Sequence, residues 1–192
     1  MVPKKVKNEE KLYFPLLQTL REFFDSDYVA NSYAYSPEGR MRAPTRGITN
    51  PHLEITAHGK FSEVLHSEFD YSLFQDLKAE NLQPDIMGYV FKKNRSKHEF
   101  ITVEIKYGQL KIRDVLQAKL YESIFNAKHS FLISPKGIAI DKLKVILKHS
   151  KELRGNVIIG QCSANGQAIR LYSDLLEYIP KEFRRLCSNR SL

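Results

Sequence analysis

Two segments rich in β-branched and aromatic residues, followed by an amphipathic helix, most constrain what this chain can fold into. Residues 85–91 read Asp-Ile-Met-Gly-Tyr-Val-Phe, and residues 100–106 read Phe-Ile-Thr-Val-Glu-Ile-Lys. This composition is typical of β-strands, and the polar stretch 92–99 between the segments predicts a hairpin. Apolar residues then recur at helical spacing over residues 110–127, and residues 131–133 are apolar again. The order hairpin, helix, strand predicts a sheet with a helix packed on it.

The flanking segments predict further helices and strands. Longer helices are expected over residues 15–24, with Pro15 in the first turn, and over 140–153 and 174–186. Shorter helical stretches are expected over residues 61–69 and 73–77, and strands over 52–58, 157–159 and 168–172. The predicted fold is therefore α/β, with a central mixed β-sheet flanked by helices, and residues 1–192 are expected to form a single domain.

Two stretches do not predict regular structure. Residues 1–11 are polar and are expected to be mobile. Residues 31–60, apart from the candidate strand, mix aromatic residues, glycine, proline and arginine, which predicts a loop or an edge hairpin. The interleaved arginines and aromatic residues make Arg42 and Arg46 candidate DNA contacts, with an ordered surface loop as the alternative.

The composition indicates a partner and a compartment. The chain has 192 residues and a net charge of +8, which favours contact with a polyanion such as DNA. Its longest apolar runs are too short to cross a membrane, and the charged N-terminus lacks the apolar core of a signal peptide. Cys162 and Cys187 cannot form a disulfide framework and fit a reducing environment. We therefore expect a cytoplasmic protein whose partner is DNA and not a membrane.

Charged residues at the end of the predicted hairpin indicate chemistry. Side chains two apart on a strand share a face, so Glu104 and Lys106 lie on the same side of an otherwise apolar strand. If the hairpin turn centres on Arg95-Ser96, Asp85 falls opposite Lys106 and diagonal to Glu104. Two carboxylates can hold Mg²⁺ or Mn²⁺, and an adjacent ammonium can orient or deprotonate a water or offset charge on a phosphate. The sequence thus predicts a metal-dependent centre built from Asp85, Glu104 and Lys106.

These residues and a second motif resemble a known nuclease superfamily. Pro84-Asp85 followed by Glu104-Ile-Lys106 resembles the PD-(D/E)xK pattern. Gln117 and Tyr121, on the following helix, resemble the QxxxY motif of the RecB-like branch, which includes Cas4-type and phage-exonuclease-type enzymes. The resemblance covers about residues 80–133 and implies a restriction-endonuclease-like core that hydrolyses DNA with Mg²⁺.

The resemblance also implies roles for individual residues. Asp85 and Glu104 would hold the metal, Mn²⁺ being able to replace Mg²⁺, and Lys106 and Gln117 would complete the catalytic set. Gln117 would lie near the metal or a substrate phosphate, with Tyr121 supporting it. Three residues of the helix are also implied as DNA contacts, namely Lys111, Arg113 and Tyr121.

The spacing of residues along the predicted helix indicates which of them share a face. Arg113, Gln117 and Tyr121 share one helix stripe. The residues expected to face the sheet are Val115, Leu116, Leu120 and Ile124.

Members of the superfamily often carry a glutamate on an upstream helix. Glu22 is favoured here as that additional metal ligand over Glu63 and Glu68.

The type of nuclease stays open at this point. Gln117 and Tyr121 favour a RecB-like exonuclease, whereas a small basic domain favours a structure-selective endonuclease such as a Holliday-junction resolvase, which would require a homodimer. A non-catalytic DNA-binding module of the same fold is a second class, and the presence of Asp85, Glu104 and Lys106 argues against it. An RNA-processing enzyme of this fold is a third.

Overall fold

The computed structural model describes residues 4–24, 51–68, 71–80, 82–91, 98–149 and 157–172, together with Ile179 and Phe183. Within these residues, six strands form one sheet whose spatial order is the chain order. They are β1 (His52–Ile55), β2 (Ile86–Phe91), β3 (His98–Ile105), β4 (His129–Ser134), β5 (Val157–Cys162) and β6 (Ile169–Leu171). β3, β4 and β5 run parallel, and the remaining neighbours are antiparallel. The predicted α/β class with a mixed sheet is confirmed.

The described part of the chain contains five α-helices. They are α1 (Lys4–Glu22), α2 (Glu63–Glu68), α3 (Tyr71–Ala79), α4 (Ile112–Ile124) and α5 (Ile140–His149). None of them combines the length and the apolar composition that crossing a membrane requires. Of the predicted helix over residues 174–186 only Ile179 and Phe183 are described, and Arg42, Arg46 and Cys187 lie outside the described residues.

Helix α1 begins eleven residues before the predicted start at Pro15, and residues 4–11, predicted to be mobile, belong to it. Pro15 lies inside the helix. It removes a hydrogen bond to the carbonyl of Lys11, but Lys11 is exposed, so water can satisfy that carbonyl. Burial of its apolar face stabilises this longer helix, because Leu12, Leu16 and Leu20 recur every four residues and are all buried.

The alternation of β3 separates the two faces of the sheet. Ile101, Val103 and Ile105 belong to a buried cluster that also contains the apolar face of α1. On the other face, Thr102 donates a hydrogen bond to Ser130, which in turn donates to the Ala118 carbonyl of α4. Helix α1 and helix α4 therefore cover opposite faces of the central strands.

Helix α4 presents a different face to the sheet than its sequence predicts. Val115, Ala118 and Tyr121 are buried, whereas Leu116 and Leu120 are 52% and 40% exposed. The expectation that Leu116 and Leu120 pack on the sheet is wrong. The small side chain of Ala118 lets the helix approach the Thr102–Ser130 pair, and this turns Tyr121 inward.

Candidate active site

The predicted charged cluster forms where β2 begins and β3 ends. β2 pairs with β3 so that Ile86 is opposite Val103. One more step along this register brings Asp85 level with Glu104, not with Lys106 as predicted from a turn at Arg95-Ser96. The midpoint of the strand pairing lies one residue earlier in the chain than predicted, so the residue opposite Asp85 shifts by two. A two-residue shift changes the residue opposite Asp85 but preserves the face that the register assigns to it.

Backbone hydrogen bonds fix the position of Asp85. Its N–H donates to the Val103 carbonyl at 3.0 Å, and its Oδ2 accepts from the Ile105 N–H at 2.7 Å. On the other side, Thr56 donates its backbone N–H to the Asp85 carbonyl at 2.9 Å. The hydroxyl of Tyr13, on α1, donates a further hydrogen bond to the Asp85 side chain. The carboxylate is thus held by β3 and by α1 at the same time.

Glu104 is buried beside Asp85 and is only partly neutralised. The residue is 3% exposed, and its Oε1 accepts a hydrogen bond from the Lys106 ammonium. Its second oxygen, Oε2, is buried without a hydrogen-bond partner. Burial, followed by the charge of Asp85, raises the pKa of the Glu104 carboxyl, and burial also raises the pKa of Asp85. Two carboxylates therefore share one ammonium in a poorly solvated place, where an excess of negative charge is costly.

This arrangement fits a divalent cation. A buried carboxylate oxygen without a partner is costly and marks a place where a cation or a bound polar group is accommodated. Among the described residues, no three His, Cys, Asp or Glu side chains come together as a set that could hold an ion. Asp85 and Glu104 would therefore supply two carboxylates, a number that suits Mg²⁺, since this ion keeps several waters and binds phosphate oxygens as well.

Lys106 lies directly after β3 and faces the same side as Glu104. The charge of Glu104 and its hydrogen bond outweigh the effect of burial, so the pKa of the Lys106 ammonium is raised above its ordinary value. Lys106 is thus a cation at neutral pH. It also lines a pocket of about 390 Å³ together with Gln117 and Arg113.

Helix α4 carries both Gln117 and Tyr121 to the site, but only Gln117 lines the pocket. The Gln117 amide Nε2 donates to the Tyr121 hydroxyl at 2.7 Å, and that hydroxyl donates to the Gln83 carbonyl at 3.1 Å. Gln117 is half-buried and lines the pocket beside Lys106. Tyr121 is 0% exposed, so the predicted direct contact of Tyr121 with DNA does not fit the structure. Tyr121 contacts Gln117, as the resemblance implies, and connects it to Gln83, the residue that precedes Pro84-Asp85.

The glutamate that reaches the site from α1 is Glu9. Its Oε1 accepts a hydrogen bond from the Tyr107 N–H at 3.2 Å, and its side chain lines the same pocket as Lys106. Glu22, the predicted candidate, lies thirteen residues further along the same helix, which is about 20 Å at 1.5 Å per residue. At that end, neighbouring Arg21 donates to the Leu53 carbonyl of β1. On α1 it is thus Glu9, and not the predicted Glu22, that lines the pocket beside Lys106.

The sequence did contain a signal for Glu9. Glu9 and Tyr13 are four residues apart, so they share one face of a helix. The relationship is visible only once α1 is extended upstream of Pro15. Tyr13 contacts Asp85 and Glu9 contacts Tyr107, so this face of α1 adjoins the ends of both central strands.

The predicted DNA-contacting residues of α4 lie at its exposed N-terminal end. Lys111 precedes the helix and donates its backbone N–H to the Asp114 Oδ2 at 2.7 Å, which caps the first turn. The Arg113 side chain is 72% exposed, with its Nε 3.7 Å from the Asp114 Oδ1. Both residues line the pocket that contains Lys106. Their side chains are placed where a bound phosphate could reach them.

No family model matches the chain, and no curated protein is significantly similar to it.

Proposed function

We propose that this chain is a metal-dependent nuclease that hydrolyses phosphodiester bonds of DNA. One observation carries the proposal: Asp85, directly before β2, and Glu104, near the end of β3, are close enough for their charges to interact, and a buried Glu104 oxygen has no partner next to the Lys106 ammonium. This combination supplies oxygen ligands for a hard cation and a positive charge for a phosphate at one place. The resemblance to the PD-(D/E)xK superfamily agrees with the same assignment.

Asp85 and Glu104 would hold Mg²⁺, or Mn²⁺ in its place. Such an ion polarises a phosphodiester and lowers the pKa of a bound water. The hydrogen bonds to Ile105 and Tyr13 would orient the Asp85 carboxylate for this purpose. Glu104 would turn its free oxygen, Oε2, to the ion while Oε1 keeps its contact with Lys106.

Lys106 and Gln117 would act on the substrate directly. Because the pKa of Lys106 is raised, its ammonium would offset charge developing on the phosphate, a role that needs the proton to stay on Nζ. The Gln117 amide is held by Tyr121 and so presents its remaining N–H and its carbonyl oxygen in a fixed direction. It would orient the attacking water or a non-bridging phosphate oxygen.

Cleavage assays with matched variants test the proposal. We expect Glu104→Gln and Lys106→Met to reduce Mg²⁺-dependent cleavage by about a hundred- to a thousandfold, a loss typical of removing an electrostatic catalytic group. Glu80→Gln and Lys128→Met, at exposed positions that do not line the pocket containing Lys106, are the matched controls. Cleavage by Glu104→Gln at the wild-type rate, both in Mg²⁺ and in EDTA without Mg²⁺, would contradict the proposal.

The substrate panel decides between the types of nuclease. Cleavage of linear but not closed circular DNA would identify a RecB-like exonuclease, whereas cleavage of four-way junctions by a homodimer would identify a resolvase. Gel filtration gives the oligomeric state. An RNA strand of the same sequence tests the RNA-processing alternative. Tight DNA binding without cleavage in Mg²⁺ and Mn²⁺ would identify a non-catalytic module.

A further inference from the structure

A second pocket continues the first one away from the charged centre. This second pocket has a volume of about 480 Å³ and is lined by Leu110, Ile112, Ile138, Ala139 and Lys142, among others. It shares Gln109, Lys111 and Arg113 with the pocket that contains Lys106 and Gln117. The two pockets therefore adjoin each other, and together they extend from Lys106 past the N-terminal end of α4 to the start of α5. We call them together the α4–α5 groove.

Positive side chains follow the whole length of the α4–α5 groove. Lys106 lies at one end, Lys111 and Arg113 in the middle, and Lys142 at the other end. The acidic groups along it are Glu9 and Asp114. Asp114 contacts the backbone N–H of Lys111 and the Arg113 guanidinium, so its charge is engaged within the helix end. The spacing of cations along one direction is complementary to a chain of phosphates.

The part of the groove away from the charged centre is apolar between its cations. Ile112 is 48% exposed, and Ile138 and Ala139 are partly exposed beside it. Exposed aliphatic surface beside lysine and arginine suits a ligand that carries both phosphates and flat apolar faces. The outside of a DNA duplex offers phosphates but keeps the faces of its bases stacked inside, whereas an unpaired strand exposes them.

We infer that the α4–α5 groove binds one unpaired strand of nucleic acid that leads to the Asp85–Glu104 centre. Its phosphates contact Lys111, Arg113 and Lys142, and its bases pack on Ile112 and Ile138. This inference rests on the proposed function and specifies its substrate: the strand next to the bond that is cut is single-stranded, either in a free strand or in an unpaired end.

The test measures binding without cleavage, in the Glu104→Gln background, by fluorescence anisotropy. The probes are a single strand of about twelve nucleotides, within the range that single-strand binding sites cover, and a blunt duplex of the same sequence. Ile112→Ser and Lys142→Gln remove the apolar and the charged contact. Leu120→Ser, at a similarly exposed position on the same helix, and Lys128→Gln are the matched controls.

We expect Ile112→Ser and Lys142→Gln each to weaken single-strand binding roughly five- to tenfold, with little effect on the blunt duplex and none from the controls. For Lys142→Gln, the slope of log affinity against log salt should also fall by about 0.7, the value for one lost phosphate contact on a single strand. Ile112 and Lys142 are exposed, and thermal melting of each variant checks that the fold is kept.

Three results would overturn the inference. Equal weakening for duplex and single strand would show that the groove takes paired DNA. Unchanged binding in both variants would show that the strand does not follow this path, even where the wild-type chain cleaves DNA with Mg²⁺. A wild-type chain that neither binds nor cleaves any nucleic acid would remove the proposed function together with this inference.

Discussion

The Asp85 carboxylate accepts a 2.7 Å hydrogen bond from the backbone N–H of Ile105, the residue between Glu104 and Lys106. A backbone group thus orients this carboxylate, and the contact exists only when β2 and β3 adopt the observed register. The position of the candidate metal ligand is in this way coupled to the pairing of the two strands that carry the site.

The coupling predicts that two substitutions of Asp85 differ in their effect on stability. Asp85→Asn keeps an oxygen that can accept from the Ile105 N–H, whereas Asp85→Ala removes it. We expect Asp85→Ala to be less stable than Asp85→Asn by about 1–2 kcal/mol, the cost of leaving a buried donor without a partner. Urea unfolding in metal-free buffer measures this difference, and both variants should lose cleavage. The pair Asp76→Asn and Asp76→Ala, at an exposed position, is the control, and equal stability of the two Asp85 variants would contradict the prediction.

A pH dependence of stability follows from the carboxylate pair. Burial and the adjacent Asp85 raise the pKa of Glu104 to about 8, above the value near 4.3 of a free glutamate. The folded state therefore binds a proton that the unfolded state has lost, and the stability of the metal-free protein falls as the pH rises from about 4 to about 8. Glu104→Gln does not titrate there, so its free energy of unfolding should fall less over this range than that of the wild type.

Urea unfolding in EDTA at pH 5.5 and pH 8.5 measures the effect. Glu80→Gln, which is exposed, should follow the wild-type pH profile. Parallel profiles for Glu104→Gln and the wild type would show that the Glu104 pKa is not raised in the folded protein.

A close backbone approach at Gly88 predicts a stability effect outside the site. Gly88 pairs with Leu53 of β1, and a Cβ at this position would lie 1.8 Å from the His52 carbonyl oxygen. Backbone cannot move aside as a flexible side chain can, so Gly88→Ala should destabilise the fold by about 2 kcal/mol or more and displace β1. Gly108→Ala, where no atom lies within 4 Å of the added Cβ, is the control for thermal melting. A melting temperature of Gly88→Ala equal to that of Gly108→Ala would contradict this reading.

The sequence predicts the central unit of this fold because the unit depends on local patterns. The period of two in β3 assigns Glu104 and Lys106 to one face, and the helical spacing of α4 and α5 is visible without tertiary information. The hairpin register is harder, since it depends on where the turn lies within a polar segment that has no strong turn signal. One step beyond the observed pairing of Ile86 with Val103, the residue opposite Asp85 is Glu104 and not Lys106.

The features that the sequence does not predict arise from tertiary packing. The rotation of α4, which exposes Leu116 and buries Tyr121, follows from the polar pair Thr102 and Ser130 against Ala118. Periodicity alone favours leucine at the buried positions and does not reveal this polar contact. The approach of Glu9 is harder still, because it joins residues almost a hundred positions apart in the chain.

The buried hydroxyl of Tyr121 predicts a positioning role that can be separated from substrate contact. Tyr121→Phe keeps the ring but leaves the Gln83 carbonyl and the Gln117 amide without their partner. We expect a loss of about 1 kcal/mol in stability and a several-fold lower kcat with little change in KM, because Gln117 would lose its fixed direction. Gln117→Leu should lower kcat further. If Tyr121→Phe loses stability but cleaves at the wild-type kcat, Gln117 does not depend on Tyr121 for its position.

The placement of Glu9 and Glu22 on one helix offers a matched pair of substitutions. Glu9 lines the pocket beside Lys106 and contacts the Tyr107 N–H, so Glu9→Gln removes a negative charge close to the proposed cation site. We expect about a tenfold weaker affinity for Mn²⁺ and a higher Mg²⁺ concentration for half-maximal cleavage, in keeping with the loss of a charge next to a coordinating carboxylate. Glu22→Gln changes the same residue type about 20 Å away along the helix and should leave both values unchanged. Titration calorimetry with Mn²⁺ and cleavage against Mg²⁺ concentration measure the two effects. Equal Mn²⁺ affinities for the two variants would show that α1 contributes Tyr13 but no acidic group to the site.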